Sequence, residues 1–151
     1  MYALLALLGA VATTNPVVAE ADAPATATVV VNMVHFRSSN GQALVSLYNG
    51  GSGFPGKPER AYQSVVTKIT GRVSQHVFSG LPPGDYALSV AHDENGNNKL
   101  DTNFLGIPKE GVGVSNNTRR MGPPRYREAK FTVAAGAQVT QTIELFYIFK
   151  S

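Results

Sequence analysis

The order of apolar and polar positions along the chain predicts strands separated by turns. From Asp85 to His92, bulky residues alternate with small ones, which is the period of a half-buried strand. Runs over 26–36 and 42–48 flank an Asn-Gly pair, the strongest short hairpin signal. The same reasoning predicts strands over 64–70, 72–78, 129–133 and 137–149. About seven strands with frequent turn signals predict an all-β sandwich.

The bulky face of the strand 85–92 should be buried in the core of this sandwich. This face consists of Tyr86, Leu88 and Val90. We expect it to pack against Val45 or Leu44 in the strand 42–48, and against Ile143 or Leu145 in the strand 137–149. Tyr86 follows Gly84 by two residues, so its hydroxyl is expected to cap a backbone group, as in a tyrosine corner.

Residues 95–124 lack strand periodicity and are rich in Asn and Gly. Loops longer than about 15 residues inside a compact domain are usually functional or ordered in an unusual way. We therefore expect one long loop on a rigid scaffold, and we expect the function to lie in this loop.

Oxygen-bearing side chains recur at every second position at the start of this loop. Asp93, Asn95, Asn97 and Asp101 have the spacing of ligands 1, 3, 5 and 9 of a calcium loop, and the backbone carbonyl of Lys99 stands at position 7. The spacing equally fits a turn in which Asn and Asp side chains bond their own backbone.

Two departures weaken the calcium interpretation. Position 12 is Phe104, so the bidentate glutamate is missing, and position 6 is Asn98 instead of Gly. Glu110 would have to complete the shell from further along the chain. Weak calcium binding and a purely structural turn both stay open.

Other residues in and after the loop are candidates for binding a ligand. They are His92, Asn103, Glu110, Asn116, Asn117, Arg119 and Arg120. Arg119, Arg120, Arg125 and Arg127 surround Gly122-Pro123-Pro124, which fits either an anionic glycan or lipid headgroup or a solvated basic loop.

Catalytic signatures are weak. His92, Asp93 and Ser115 have the residue types of a hydrolytic triad, but no Gly-x-Ser-x-Gly elbow surrounds Ser115. His35 and His76 lie far from His92 in sequence, and there is no cysteine, so a zinc site is disfavoured.

Composition sets the broad class of the protein. Hydrophobic residues make up 43% of the 151-residue chain and charged residues only 15%, which suits one folded domain. The net charge of +3 is spread too thinly for a nucleic-acid binder.

The N-terminus has the features of a targeting segment. Residues 3–12 are almost entirely apolar but too few to span a bilayer, and Ala19-Glu20-Ala21 is a small-x-small cleavage site. We predict a signal peptide at 1–21, a linker at 22–27 and one domain at 28–150, hence a periplasmic or secreted protein without a transmembrane segment in its mature chain. No Lys or Arg precedes the apolar run, which suggests a true translation start upstream of Met1. The alternative to a signal peptide is a short buried helix at the start of a cytosolic domain.

Three segments resemble a known family. They are FSGLPPGDYA at 78–87, HDENGNNKLDTNFLGIP at 92–108 and EGVGVSNN at 110–117, with Gly122-Pro123-Pro124 after them. Together they resemble the exported bacterial proteins grouped as domain of unknown function 2141. The resemblance covers nearly the whole mature chain and implies an envelope protein with an Ig-like or transthyretin-like sandwich. It implies no activity.

The leading hypothesis is a non-enzymatic binding or structural module that contacts an unknown envelope ligand or protein. The rival is a small transthyretin-like hydrolase. The C-terminal Tyr-Arg-Gly-Ser of those enzymes is replaced here by Phe-Tyr-Ile-Phe-Lys-Ser at 146–151. Converging His, Arg and acidic side chains in one cleft would favour the hydrolase.

Overall fold

Eight β-strands build two sheets whose inner faces share one core in the described part of the chain. In the computed structural model, which describes residues 9–14, 16 and 25–150, the strands are β1 (Ala27–Val34), β2 (Gln42–Tyr48), β3 (Gln63–Lys68), β4 (Ser74–Leu81), β5 (Gly84–Asp93), β6 (Val112–Val114), β7 (Phe131–Val133) and β8 (Gln138–Glu144). Helical segments are short: α1 (Tyr126–Ala129) and 3-10 turns at Pro58–Arg60 and Ser115–Asn117. The prediction of an all-β sandwich is confirmed, while its assignment to an Ig-like or transthyretin-like type stays a prediction.

The strand order places the end of β5 beside the beginning of β2. One sheet has the order β4-β1-β8 and the other β3-β2-β5-β6, and only β1 and β8 run parallel among the described pairs. Asp93, the last residue of β5, pairs with Gln42, the first residue of β2. The short β7 pairs with the opposite end of β5. The long loop therefore leaves the sandwich at one end, directly above the β2–β5 pair.

The core follows from the alternation along the strands. β1 buries every second residue, beginning at Ala27. The predicted face of β5 is buried together with residues of both sheets, namely Tyr86, Leu88 and Val90 with Val45, Ile143 and Leu145. The Tyr86 hydroxyl donates to the Pro82 carbonyl at 2.7 Å, which confirms its capping role.

Two predictions about strands need correction. The stretch 95–124 is not a single strandless loop, because it contains β6 and the 3-10 turn at Ser115–Asn117, so that the described strands number eight instead of about seven. β6 has the sequence Val-Gly-Val, which is too short for a period to be recognised. At the centre of β6, a Cβ on Gly113 would lie only 2.7 Å from Ile143 Cγ2, so glycine is required there for close packing. Glycine is uncommon in strands, and its presence hid β6 from the sequence analysis. The last strand also ends at Glu144, earlier than the predicted 149.

The predicted signal peptide at 1–21 and linker at 22–27 lie largely outside the described residues, so both stay predictions. Within residues 9–14, 16 and 25–150, no helix reaches the length and hydropathy of a membrane span.

Candidate functional site

The loop that follows β5, residues 93–111 and here called the polar loop, is held at its start by a buried carboxylate. The Asp93 side chain is fully buried. Its Oδ1 accepts the Asn97 N–H at 3.1 Å, and its Oδ2 accepts the Asn98 N–H and Gln42 Nε2 at 2.8 Å each. A buried carboxylate is costly unless its oxygens are bonded, and here they are. Asp93 therefore turns the chain sharply where β5 ends.

A second buried carboxylate holds the other side of the polar loop. Glu110 is 5% exposed. Its two oxygens accept the backbone N–H groups of Glu94 and Asp101, each at 2.9 Å. One side chain from the end of the loop therefore fixes the loop's beginning and its middle. The sequence named Glu110 as a possible metal ligand, whereas in the structure both of its oxygens bind backbone.

The predicted calcium ligands lie together on the outer side of the polar loop. Asp101 accepts amide hydrogens from Asn95 at 2.6 Å and from Asn97 at 2.9 Å. These bonds lower the pKa of Asp101, the Asn97 bond most, with smaller contributions from the charges of Lys99 and Lys109. The amide oxygens of Asn95 and Asn97 each accept a backbone N–H two residues further on.

Backbone geometry also follows the calcium-loop spacing at one position. Asn98, at position 6, has a φ of 63°, in the left-handed region that a glycine usually supplies there and that Asn tolerates. The predicted ligand residues are therefore brought together in a tightly curled loop, but their polar groups bond one another. The same residues accommodate both interpretations drawn from the sequence.

A buried polar cluster supports the polar loop from below. The His92 ring is fully buried. Its Nε2 lies 2.8 Å from the Asn40 carbonyl and its Nδ1 lies 2.7 Å from the Tyr147 hydroxyl. Because a carbonyl can only accept, Nε2 carries a hydrogen and donates it to Asn40. Phe36 packs edge-on against the ring at 5.1 Å.

An ion pair closes the side of this cluster. Arg37 donates from Nε and Nη2 to the two oxygens of Glu94, at 2.6 and 2.5 Å. This bidentate bond lowers the pKa of Glu94 and raises that of Arg37. The guanidinium lies 4.5 Å from the centre of the Tyr147 ring, and burial raises the pKa of the Tyr147 hydroxyl. The sequence offered no signal for this contact, because Arg37, Glu94 and Tyr147 are far apart along the chain.

Two glycines permit the close approach of loop and sandwich. Gly41 has a φ of 70°, and a Cβ there would lie 1.9 Å from the Asp93 carbonyl oxygen. A Cβ on Gly111 would lie 2.4 Å from the Tyr147 ring. Only glycine fits at either position without displacement of the loop.

The outermost part of the polar loop, residues 102–108 and here called the tip, is a small closed hairpin. Lys109 N–H donates to the Asp101 carbonyl at 2.9 Å, which closes its base. Within it, Asn103 Oδ1 accepts the N–H groups of Leu105 and Ile107, at 2.9 and 3.0 Å. Asn103, predicted to bind a ligand, therefore shapes the tip from within.

Asn116 and Asn117 lie outside the polar loop, and their side chains join the 3-10 turn to neighbouring backbone segments. Both have positive φ, at 61° and 49°. Asn116 Nδ2 donates to the carbonyls of Glu128 and Lys130, while Asn117 Nδ2 donates to the Thr142 carbonyl. Their role in ligand binding stays a prediction, and the structure shows their side-chain amides bonded to backbone carbonyls.

Arg119 and Arg120 begin the segment 118–125, here called the arginine loop. Arg119 lies 3.6 Å from Glu144 and over the Phe146 ring at 5.1 Å. Arg120 donates to the Pro123 carbonyl at 3.4 Å and is exposed. Both guanidinium groups remain largely accessible to an anion.

Ser115 and His92, which were considered as members of a hydrolytic triad, form hydrogen bonds to other groups and not to each other. The Ser115 hydroxyl donates to the Ala129 carbonyl at 2.6 Å and accepts the Leu88 N–H at 2.9 Å. His92 binds Tyr147 and the Asn40 carbonyl instead. Ser115 therefore joins β5 to α1 as a structural residue.

His92, Arg37 and Glu94 lie close together, as a hydrolase would require, but they do not line a cleft that a substrate could enter. The His92 ring is fully buried, and both of its nitrogens are hydrogen-bonded within the protein. Two concavities of the described surface, one lined by Met33 and Ser74 and the other by Val45 and Asn98, include none of these three residues. Among the described residues, no group of three His, Asp or Glu side chains is arranged to hold a metal ion.

Fold and site together define a small β-sandwich protein that carries one ordered polar loop at an end of its sheets. A family model described as an uncharacterized protein conserved in bacteria (DUF2141) matches residues 31–142. The chain belongs to this family, as its sequence motifs predicted. No curated protein and no solved structure gives a significant match to the chain.

Proposed function

We propose that this chain is an exported envelope protein that acts as a non-enzymatic binding module, with the polar loop as its recognition element. The observation that carries this proposal is the anchoring of the loop. Two buried carboxylates, Asp93 and Glu110, spend all their hydrogen bonds on one loop and on Gln42 beneath it. A loop fixed to a rigid scaffold can present side chains to a partner at low cost in conformational entropy.

Removal of the tip tests the binding role directly. The Lys109 N–H to Asp101 carbonyl bond has the geometry of a hairpin closure, so residues 102–108 can be replaced by Asn-Gly, a favoured two-residue turn. Wild-type and shortened proteins are immobilised and exposed to envelope extract of the native host. We expect a partner or lipid retained by the wild type and lost from the shortened protein. Equal retention by both, with the shortened protein folded, would contradict the proposed role of the loop.

Export is the second part of the proposal, and it is supported by the apolar run at 3–12 and the Ala19-Glu20-Ala21 site. We expect protein recovered from the envelope of the native host to begin near Asp22, with Val17-Val18-Ala19 as a second cleavage site two residues earlier. A Leu7→Arg control, which interrupts the apolar run, should remain in the cytoplasm with Met1 intact. Folded wild-type protein that keeps Met1 would contradict the export proposal.

A weak calcium response of the polar loop is proposed as a finer property. Its support is the spacing of Asp93, Asn95, Asn97 and Asp101 together with the positive φ of Asn98. Calcium would have to displace the two amide groups that now bond Asp101. With the bidentate glutamate also missing, the dissociation constant should be on the order of 10⁻⁴–10⁻³ M.

A thermal melt separates the calcium-binding loop from the structural turn. At about ten times the dissociation constant, calcium should stabilise the protein by roughly 1.4 kcal/mol relative to chelator. Asp101→Asn keeps the shape of the side chain but removes its charge, so the calcium shift should disappear, while Asp85→Asn at the other end of β5 should keep it. Magnesium is the control ion, because it demands a tighter octahedral shell. No shift in the wild type, or a shift that survives Asp101→Asn, would contradict calcium binding at this loop.

A further inference from the structure

The tip of the polar loop exposes two adjacent apolar side chains in an ordered conformation. Phe104 is 95% exposed and Leu105 69%. Exposed apolar residues are common on proteins, but single ones carry no information. Here the backbone beneath them is fixed, since Asn103 accepts the N–H groups of Leu105 and Ile107 and the hairpin base is closed. The fold therefore holds Phe104 and Leu105 in water instead of turning them toward the core.

Cationic side chains flank this apolar pair in sequence. Lys99 precedes the tip and Lys109 follows it, and both are exposed. Their charges reach Asp101, where they help to lower its pKa. Asp101 is the one acidic residue between them in sequence, and two amide groups bond its carboxylate. Residues 99–109 therefore carry a net charge of +1, whereas the whole polar loop, with four carboxylates and two lysines, carries −2. Of the three carboxylates outside this segment, Asp93 and Glu110 are buried and Glu94 is paired with Arg37, so the two lysines are the exposed charges nearest the tip in sequence.

Shape and area decide which kind of partner fits the tip. Two side chains on a projecting hairpin offer far less than the roughly 800 Å² per partner that a stable protein interface needs. A second copy of the chain bound through the tip alone would therefore not form a stable dimer. A convex apolar point with adjacent lysines suits the boundary between the acyl chains and anionic headgroups of a membrane, where small apolar areas and positive charges act together.

We infer that Phe104 and Leu105 insert into an anionic phospholipid surface while Lys99 and Lys109 bind its headgroups. This inference rests on the proposed role of the polar loop as a binding element and names the partner of that loop. Association is reversible and salt-sensitive, because two side chains bury little apolar area and the attraction of exposed charges is screened by salt.

Vesicle binding measures the contribution of each part of the tip. The protein, purified in its native processed form, is sedimented with vesicles of phosphatidylcholine with or without phosphatidylglycerol. We expect binding to the mixed vesicles only, a loss of at least about tenfold for Phe104→Ser combined with Leu105→Ser, and a loss of about fivefold for each of Lys99→Gln and Lys109→Gln. Val77→Ser, at a half-exposed position of β4, is the matched control and should bind as the wild type does.

A tryptophan reporter shows which surface touches the lipid. The chain contains no Trp, so Phe104→Trp introduces a single fluorophore at the tip. Its emission should shift to the blue with anionic vesicles, whereas Val77→Trp should show no shift. No binding to mixed vesicles, or binding without a shift at position 104, would overturn the inference.

The outcome also separates this inference from the proposed function. If a protein from envelope extract shifts the emission at position 104 and vesicles do not, the occupant is a protein pocket, and the lipid inference fails while the binding role of the loop stands. If neither vesicles nor extract changes the emission and the shortened loop loses no partner, both fail.

Discussion

The polar loop and the arginine loop come from one aperiodic stretch of sequence, yet they are built in different ways. The polar loop has two buried carboxylates at its base and a side-chain acceptor within its tip. The arginine loop is tethered by an exposed ion pair of Arg119 with Glu144 and by one long bond from Arg120. Of these two loops, the polar loop therefore contains buried polar side chains that bond its own backbone, whereas the arginine loop, in the part of the chain that the structure describes, is held by exposed contacts.

This difference shows that order in a loop does not require apolar residues. Asn and Asp side chains supply the acceptors that neighbouring strands supply within a sheet. The cost is the burial of charge, which is tolerated because each oxygen of Asp93 and Glu110 has a donor. The arginine loop, rich in Pro and cations, keeps its charges in water instead.

The largest effect is expected from Asp93→Ala. The change removes the buried carboxylate that accepts the Asn98 N–H and Gln42 Nε2 and that shares the Asn97 N–H with Asn95 Oδ1. It should lower the free energy of unfolding by about 2–3 kcal/mol. Urea denaturation measures the change, and circular dichroism verifies that the sheet persists. A loss below about 0.5 kcal/mol would show that the polar loop is no better anchored than an ordinary surface loop.

Glu110→Gln should have a smaller effect of the same kind. One oxygen remains an acceptor, but the new amide group faces either the Glu94 or the Asp101 N–H, so that one bond is lost. We expect a loss of about 1–2 kcal/mol in urea denaturation. An unchanged midpoint would mean that Glu110 does not clamp the loop.

Acid should weaken the ion pair at the side of the loop. The pKa of Glu94 is lowered by Arg37 below its ordinary value of 4.5. A depressed carboxylate pKa stabilises the folded state above the unfolded pKa, and this stabilisation is lost as the pH falls through the folded pKa. In Glu94→Gln, the unfolding free energy should therefore be lower at neutral pH by roughly 0.5–1 kcal/mol, and the gap to wild type should close below pH 4.5. A gap that persists at low pH would contradict the ion pair.

Arg120→Ala in the arginine loop should have the smallest effect, within about 0.5 kcal/mol of wild type. Arg120 is exposed and makes one bond of 3.4 Å to the Pro123 carbonyl. The same urea denaturation provides the measurement. A loss as large as that of Asp93→Ala would remove the distinction between the two loops.

The sequence predicts the parts of the molecule that depend on periodicity. The strand 42–48 and the core face of β5 were predicted correctly from the alternation in their sequences, although burial in β2 is continuous from Val45 to Tyr48. β6 was missed, because Val-Gly-Val is too short and its glycine is required by Ile143. The spacing of Asp93 and Asp101 indicated a curled loop, but it did not indicate which donors their oxygens would meet.

Polar contacts between residues distant in sequence could not be predicted. The cluster of Arg37, Glu94, His92 and Tyr147 joins three parts of the chain that only the fold brings together. The exposure of Phe104 was equally hidden, since an apolar residue in a sequence is ordinarily expected inside.

The central claim is that buried side chains order the polar loop without any metal. Amide hydrogen exchange in the presence of chelator tests this claim most directly, because it reports the opening of single N–H groups. We predict that the amides of Asn97, Asn98 and Asp101, which donate to Asp93 and Glu110, exchange at least about tenfold more slowly than those of Arg120 and Met121 in the arginine loop. Exchange of all five amides at the same rapid rate would contradict the account.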